Sequence, residues 1–204
     1  MKYPDARLLI LSKAPDAGVV KTRLIPLLGA AGAAGFYADL LHTCIDRLGA
    51  AELCPVDLWC WPSTRHPFFT GCAQHYGVTL QQQPAGDIGQ RMEHALGQTL
   101  QQCGYAVLVG ADCPDLAITD IEAALQALQE GADVVLGPAL DGGYYLVAMR
   151  ERHAFLFEDM PWGSADVLCL TESRLRSHGL SWLRLTPRRD IDTPEDYVEW
   201  KAAD

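Results

Sequence analysis

The residues in this chain best suited to chemistry are carboxylates and cations placed just past apolar runs. Tyr105-Ala-Val-Leu-Val-Gly110 has no polar alternation and runs out into Ala111-Asp112-Cys113-Pro114. Such a run fits a strand buried on both faces of a parallel sheet. Gly110 allows close approach of another group, and Pro114 stops the strand. Ligands of open α/β sheets bind beyond the carboxyl ends of the strands. Asp112 therefore stands where a hard divalent cation could bridge a carboxylate and substrate phosphates. It could equally cap the turn, as Asp does after many strands.

A second acidic group lies near the other end, in Arg188-Arg189-Asp190-Ile191-Asp192-Thr193-Pro194-Glu195-Asp196. If Asp190 to Asp192 is extended, both carboxylates point to one side, because strand side chains alternate. Thr193 reads as a helix N-cap, with Pro194 at the first helical position and Asp196 completing a capping-box pattern. Capping accounts for Thr193, Pro194 and Asp196 and leaves Asp190 and Asp192 unexplained.

The cations fall after the first apolar run, Arg7 to Leu11, in the loop from Ser12 to Leu24 that carries Lys13, Lys21 and Arg23. A Gly-containing loop with Lys and Arg suits phosphates, since backbone N–H groups donate and Arg grips in two places. A solvated basic loop is the alternative. A Walker A motif ending at Lys21-Thr22 is excluded: it needs Gly at positions 15 and 20, where the chain has Pro15 and Val20.

Two glycine-punctuated turns complete the candidates. In Gln83-Pro-Ala-Gly86-Asp87-Ile-Gly89-Gln90-Arg91-Met92 a planar base could lie against the backbone with a Gln amide reading its edge, although a plain strand-to-helix turn explains it as well. Asp141-Gly142-Gly143-Tyr144 is either a ligand floor or a hairpin turn. The six His residues are scattered without metal-ligand spacing, and no Ser-His-Asp nucleophile set is apparent.

These residues need elements to position them. Val56 to Trp61, Val78 to Gln82, Tyr105 to Val109, Ala132 to Leu136, the run opened by Gly142-Gly143, and Leu180 to Leu185 read as further strands. Gly29 to Gly49, Arg65 to Tyr76, the stretch after Gly89 to about Gln102, Thr119 to Glu130 and Ser164 to His178 read as helices, with Thr119 a candidate N-cap. The fold class is α/β: a single-domain α/β/α sandwich over residues 1–204 with a mostly parallel central sheet.

Composition agrees with that class and narrows the partners. At 204 residues the chain has material for one large core, and 49% hydrophobic with 21% charged residues is an ordinary globular balance. A net charge of −10 argues against nucleic acid as a partner but not against a nucleotide held by local cations. Seven cysteines with no Cys-x-x-Cys pair predict reduced thiols rather than a zinc cluster or disulfide framework. The run Leu8 to Leu11 is too short for a membrane span or signal core, which predicts a cytoplasmic protein without a membrane partner.

Taken in order, Lys-Ala-Pro…Gly-Val-Val-Lys-Thr-Arg-Leu, Gly-Asp-Ile-Gly-Gln-Arg-Met, Gly-Ala-Asp-Cys-Pro, Gly-Pro-Ala-Leu-Asp-Gly-Gly-Tyr-Tyr-Leu and Asp-Ile-Asp-Thr-Pro-Glu-Asp form a specific set. The set resembles the bacterial family of small glycosyltransferase-like proteins (the DUF2064 type) within the nucleotide-diphospho-sugar transferase superfamily. The resemblance covers residues 7 to 200; some members of the family are associated with arsenosugar biosynthesis. More distantly the chain is similar to phospholactate guanylyltransferases and molybdopterin-guanine-dinucleotide-type nucleotidyltransferases.

The resemblance implies a glycosyltransferase A-like fold and a nucleotide or nucleotide-sugar donor with a small-molecule acceptor. Lys21 and Arg23, with Ser12 and Lys13, would hold the donor phosphates; Gln83, Gly89 and Arg91 would complete the nucleotide site. Asp112 and Asp192 would share Mg²⁺ or Mn²⁺, with Lys21, Asp112 and Asp192 as the catalytic set. Asp141, Gly142, Gly143, Tyr144 and Trp162 would lie at the sugar or acceptor. The family pattern has Trp-Ser-Thr where this chain has Trp162-Gly163-Ser164, which bears on the acceptor side. Metal-dependent glycosyl transfer is the implied reaction, with nucleotidyl transfer as the alternative.

Overall fold

A computed structural model describes residues 1–203. Seven strands form one sheet: β1 (Ala6–Lys13), β2 (Val56–Trp61), β3 (Thr79–Gln82), β4 (Tyr105–Gly110), β5 (Val134–Pro138), β6 (Tyr144–Met149) and β7 (Trp182–Arg184). Their spatial order is β3-β2-β1-β4-β6-β5-β7. Every pairing is parallel except those of β6, which runs antiparallel to both β4 and β5. The mostly parallel sheet expected from the apolar runs is present.

The central strands are apolar on both faces, and each face is covered. Leu8, Ile10, Leu58, Val107, Val109 and Val135 pack with Tyr37, Leu41 and Ile45 of α1 (Ile25–Ala50), Phe69 and Cys72 of α2 (Pro67–Tyr76), and Ile121 and Leu125 of α4 (Ile118–Gln129). Leu9, Trp59, Leu108, Leu136 and Val147 pack on the other side with Met92 and Leu96 of α3 (Ile88–Thr99) and Leu175 of α5 (Val167–Ser177). Neighbouring residues of one strand thus enter different layers, which is the α/β/α sandwich. Each fully buried Leu or Ile contributes about 1.5–3 kcal/mol. The stretch Thr22–Ala50 is long and apolar enough to cross a bilayer by length and composition alone. Here its Tyr37, Leu41, Ile45 and Leu48 are core residues, and Gly29 breaks the helix with φ 72°.

Several boundaries differ from the sequence expectation, each for a local reason. Helix α4 starts one residue before Thr119, at Ile118, and Ala117 is its N-cap. Asp120 satisfies the free backbone there, accepting from Ala117 N at 2.9 Å. Helix α3 opens on a reciprocal capping box: Asp87 Oδ1 accepts from Gln90 N, and Gln90 Oε1 accepts from Asp87 N. Gln90 is thereby engaged at the helix start. The predicted cap of the last helix, α6 (Pro194–Ala203), is present: Asp196 Oδ2 accepts from Thr193 N and Oγ1, and Thr193 Oγ1 accepts from Asp196 N.

Candidate active site

The carboxyl ends of β1 and β4 face a cavity of about 400 Å³. Two connections bring its acidic residues together. Ile191 N donates to Asp112 O at 3.1 Å, which ties the closing segment to the exit of β4. Ile191 is buried while Asp190 and Asp192 both line the cavity, the alternation that an extended segment requires. Upstream, Arg188 anchors this segment by a bidentate pair with buried Asp120, at 2.6 and 3.0 Å. On the Asp112 side, Arg47 of α1 donates to Pro114 O and Leu116 O and fixes the loop behind the carboxylate.

Lys21 is the centre of the arrangement. Its Nζ lies 2.6 Å from Asp192 Oδ1 and 3.2 Å from Asp112 Oδ1, and its side chain is only 4% exposed. The contact to Asp192 is a short hydrogen bond, and the contact to Asp112 is a longer ion pair. Burial opposes the charge on Lys21, but Asp112 and Asp192 outweigh it and hold the ammonium above its ordinary pKa. Lys21 adopts left-handed backbone angles, φ 46° and ψ 43°, which cost a non-glycine residue about 1 kcal/mol or more. That strain is the cost of turning the chain so that the ammonium enters between the carboxylates.

Asp190 is a third cavity carboxylate, and sequence reasoning did not place it in the site. Burial first, then the charges of Asp112, Asp141 and Asp192, push its carboxyl up to about 7, with Lys21 opposing. The signal available was the alternation that put Asp190 and Asp192 on one side.

Of the other residues singled out in the sequence, Ser12, Lys13, Arg23, Gln83, Arg91 and Tyr144 line the same cavity. Ser12 and Gln83 are buried and join the ends of β1, β2 and β3: Ser12 Oγ donates to Trp59 O, and Gln83 Nε2 donates to Ser12 O and Trp59 O. Arg91 stacks 3.9 Å from the Trp61 ring centre and donates Nε to Gly86 O. Lys13 N donates to Tyr37 Oη, so α1 fixes the start of the loop.

Five residues expected at the ligand lie outside the cavity lining. Gly89 does not line the cavity; a Cβ there would meet the Trp162 indole at 2.3–2.6 Å, so its missing side chain makes room for Trp162. Trp162 correspondingly packs on α3, beside Phe157 and Tyr144, outside the cavity lining. Gly142, with φ 93°, leaves space for the Ala165 backbone. Asp141 Oδ1 accepts from Gly143 N at 2.9 Å, so Asp141-Gly142-Gly143 forms the turn joining β5 to β6, close enough for the Asp141 charge to act on the cavity carboxylate Asp190.

Divalent metal fits the charge balance here. Asp112 and Asp192 share the single ammonium of Lys21, so the immediate contact pairs two carboxylates with one cation. Among the described residues no cluster of three His, Cys, Asp or Glu side chains forms a ready-made metal cage. Mg²⁺ needs none, since it is held by one or two carboxylates together with substrate phosphates and water.

Comparison with known proteins gives the family and the fold. The family described as "Uncharacterized protein conserved in bacteria (DUF2064)" matches residues 44–164. Among solved structures, a protein of Desulfovibrio desulfuricans G20, provisionally assigned as a nucleotide-diphospho-sugar transferase, superposes with TM-score 0.84 at 30% identity, over 93% of this chain and 83% of its own. CMP:2-keto-3-deoxy-manno-octonic acid synthetase complexed with CTP has TM-score 0.61 at 12% identity, covering 98% of each chain. Rv0371c of Mycobacterium tuberculosis H37Rv, in complex with manganese, has TM-score 0.53 at 14% identity, over 96% of this chain and 97% of its own. No curated protein matches the chain. The chain belongs to the bacterial DUF2064 family and has the nucleotide-diphospho-sugar transferase fold.

Proposed function

We propose that this transferase-class enzyme uses a nucleotide donor and Mg²⁺ or Mn²⁺, and that it transfers a glycosyl group from a nucleotide-diphosphate sugar to a small acceptor. The observation that carries the reading is the Asp112–Lys21–Asp192 clamp at the rim of a cavity that also presents Lys13, Arg23 and Arg91. Asp112 and Asp192 would hold the ion, which supplies electrostatic stabilisation of the leaving phosphate. Lys21 and Arg23 would bind the phosphate oxygens and hold them in line for displacement. Asp190, the cavity carboxylate outside the Lys21 clamp, would take the proton of the attacking hydroxyl.

Four cationic side chains around one cavity also suit a triphosphate, which favours nucleotidyl transfer to a phosphorylated small molecule as the second reading. The relatives support either class: one is assigned as a sugar-nucleotide transferase, another was solved with CTP, and a third with manganese. The seven unpaired cysteines support placing the protein in the reducing cytoplasm.

The deciding experiment incubates purified protein and Mg²⁺ with nucleotide sugars and nucleoside triphosphates and follows products by mass spectrometry. Free nucleoside diphosphate supports glycosyl transfer, and pyrophosphate supports nucleotidyl transfer. Absence of turnover and of nucleotide binding across the panel would reject both.

A further inference from the structure

The cavity has two chemically different ends. Lys21, Asp112, Asp190 and Asp192 lie at the β4 side. Ser12 ends β1 and Gln83 follows β3, and the Gln83 amide reaches across to Ser12 O and Trp59 O, so this corner lies over β1 and β2, on the side of β1 away from β4. This end carries apolar side chains suited to a flat ring. Ile88, which opens α3 just after β3, lines the cavity and is 40% exposed, so its side chain is free to lie against a ring. Leu11 and Met92 continue the surface.

The polar atoms at this end are restricted in what they can offer. Ser12 and Gln83 are each 2% exposed, so their hydrogen bonds are fixed by the fold. Both amide hydrogens of Gln83 are engaged, by Ser12 O at 2.6 Å and Trp59 O at 2.7 Å. That contact fixes the orientation of the amide and leaves Oε1 as its free polar atom. The hydroxyl hydrogen of Ser12 is also engaged, by Trp59 O at 2.8 Å, which leaves only lone pairs on Oγ. Two neighbouring side chains therefore present acceptors and no donors.

We infer that this corner reads the donor's base and that Ser12 and Gln83 select a base with an exocyclic amino group over uracil. The inference rests on the nucleotide reading of the cavity. An exocyclic amino group, on adenine, cytosine or guanine, brings two N–H donors on one nitrogen. Those donors match two adjacent acceptors. Uracil carries carbonyl oxygens on either side of its single ring N–H, so it would set an oxygen against Gln83 Oε1 or Ser12 Oγ. Its arrangement leaves buried polar atoms facing one another unpaired, and sites of that kind discriminate strongly. Arg91, at the same end, supplies donors for the remaining ring acceptors without relieving this conflict.

The test is isothermal titration of wild-type protein, with Mg²⁺, against ADP, CDP, GDP and UDP. Diphosphates are shared by both transfer reactions, so the result does not depend on which bond is broken. At least one amino-bearing diphosphate should bind roughly tenfold or more tightly than UDP. Gln83→Leu should abolish the preference, so that this nucleotide and UDP bind alike. UDP binding as tightly as the best of the others would overturn the inference and leave the nucleotide site standing. Failure of all four to bind would overturn the nucleotide reading, and this inference with it.

Discussion

Replacing Lys21 by Met removes the ammonium while keeping the length of the side chain. Asp112 and Asp192 then face each other without the cation that lies 3.2 and 2.6 Å from them. Breaking a fully buried ion pair by removing one partner costs about 3–5 kcal/mol. Here the two carboxylate side chains are 42% and 45% exposed, so water screens much of their repulsion. An expected loss of about 1–2 kcal/mol follows, which for a chain of this size lowers Tm by about 2–8 °C. The sign of the cation effect is the decisive part. A divalent ion between Asp112 and Asp192 relieves the same repulsion that the ammonium relieves. Mg²⁺ should therefore raise the Tm of Lys21→Met by more than that of wild type. Calorimetric melts of both proteins across a Mg²⁺ series read this directly. A variant that melts with wild type, or whose deficit is the same at every Mg²⁺ concentration, would refute the shared-cation argument.

Three further outcomes follow from individual contacts. Thr193→Ala removes the N-cap of α6 and should cost about 1 kcal/mol in urea denaturation, with little change in nucleotide binding. Gly89→Ala places a methyl where Trp162 Nε1 would be 2.3 Å away, so Trp162 must move; a change in tryptophan fluorescence should accompany a loss of about 1–3 kcal/mol, and an unchanged spectrum would contradict the packing. Asp190 has a folded pKa raised from 3.8 to about 7, so its contribution to stability is present below about 4 and is lost as pH rises through about 7. Asp190→Asn should accordingly gain about 1–3 kcal/mol over wild type at pH 8 without metal, and gain nothing at pH 4.

Much of the fold was legible because its signals are local. The apolar runs of β1, β4 and β5 and the Thr193-Pro194 start of α6 each carry their own pattern. The site was legible as a set of charges past strand ends, and Lys21, Asp112 and Asp192 do meet. Their relation was not. Sequence reading gave Lys21 to phosphates and Asp192 no structural duty, yet the fold pairs them directly. The glycines carry a related ambiguity. A missing side chain signals close approach without saying what approaches, and at Gly89 and Gly142 the partners are Trp162 and Ala165. Thr119 looked like an N-cap because its type suits one, while the cap of α4 is completed from N3 by Asp120.

The account stands most directly on Asp112, because it would hold the proposed ion together with Asp192 and both carboxylates meet Lys21. Titration calorimetry of wild type and Asp112→Asn with a nucleoside diphosphate, with and without Mg²⁺, tests it in one series. Wild type should bind the nucleotide more tightly with Mg²⁺, and Asp112→Asn should lose that enhancement while its far-UV circular dichroism stays unchanged. A folded Asp112→Asn that keeps the full Mg²⁺-dependent affinity would contradict the proposed metal site.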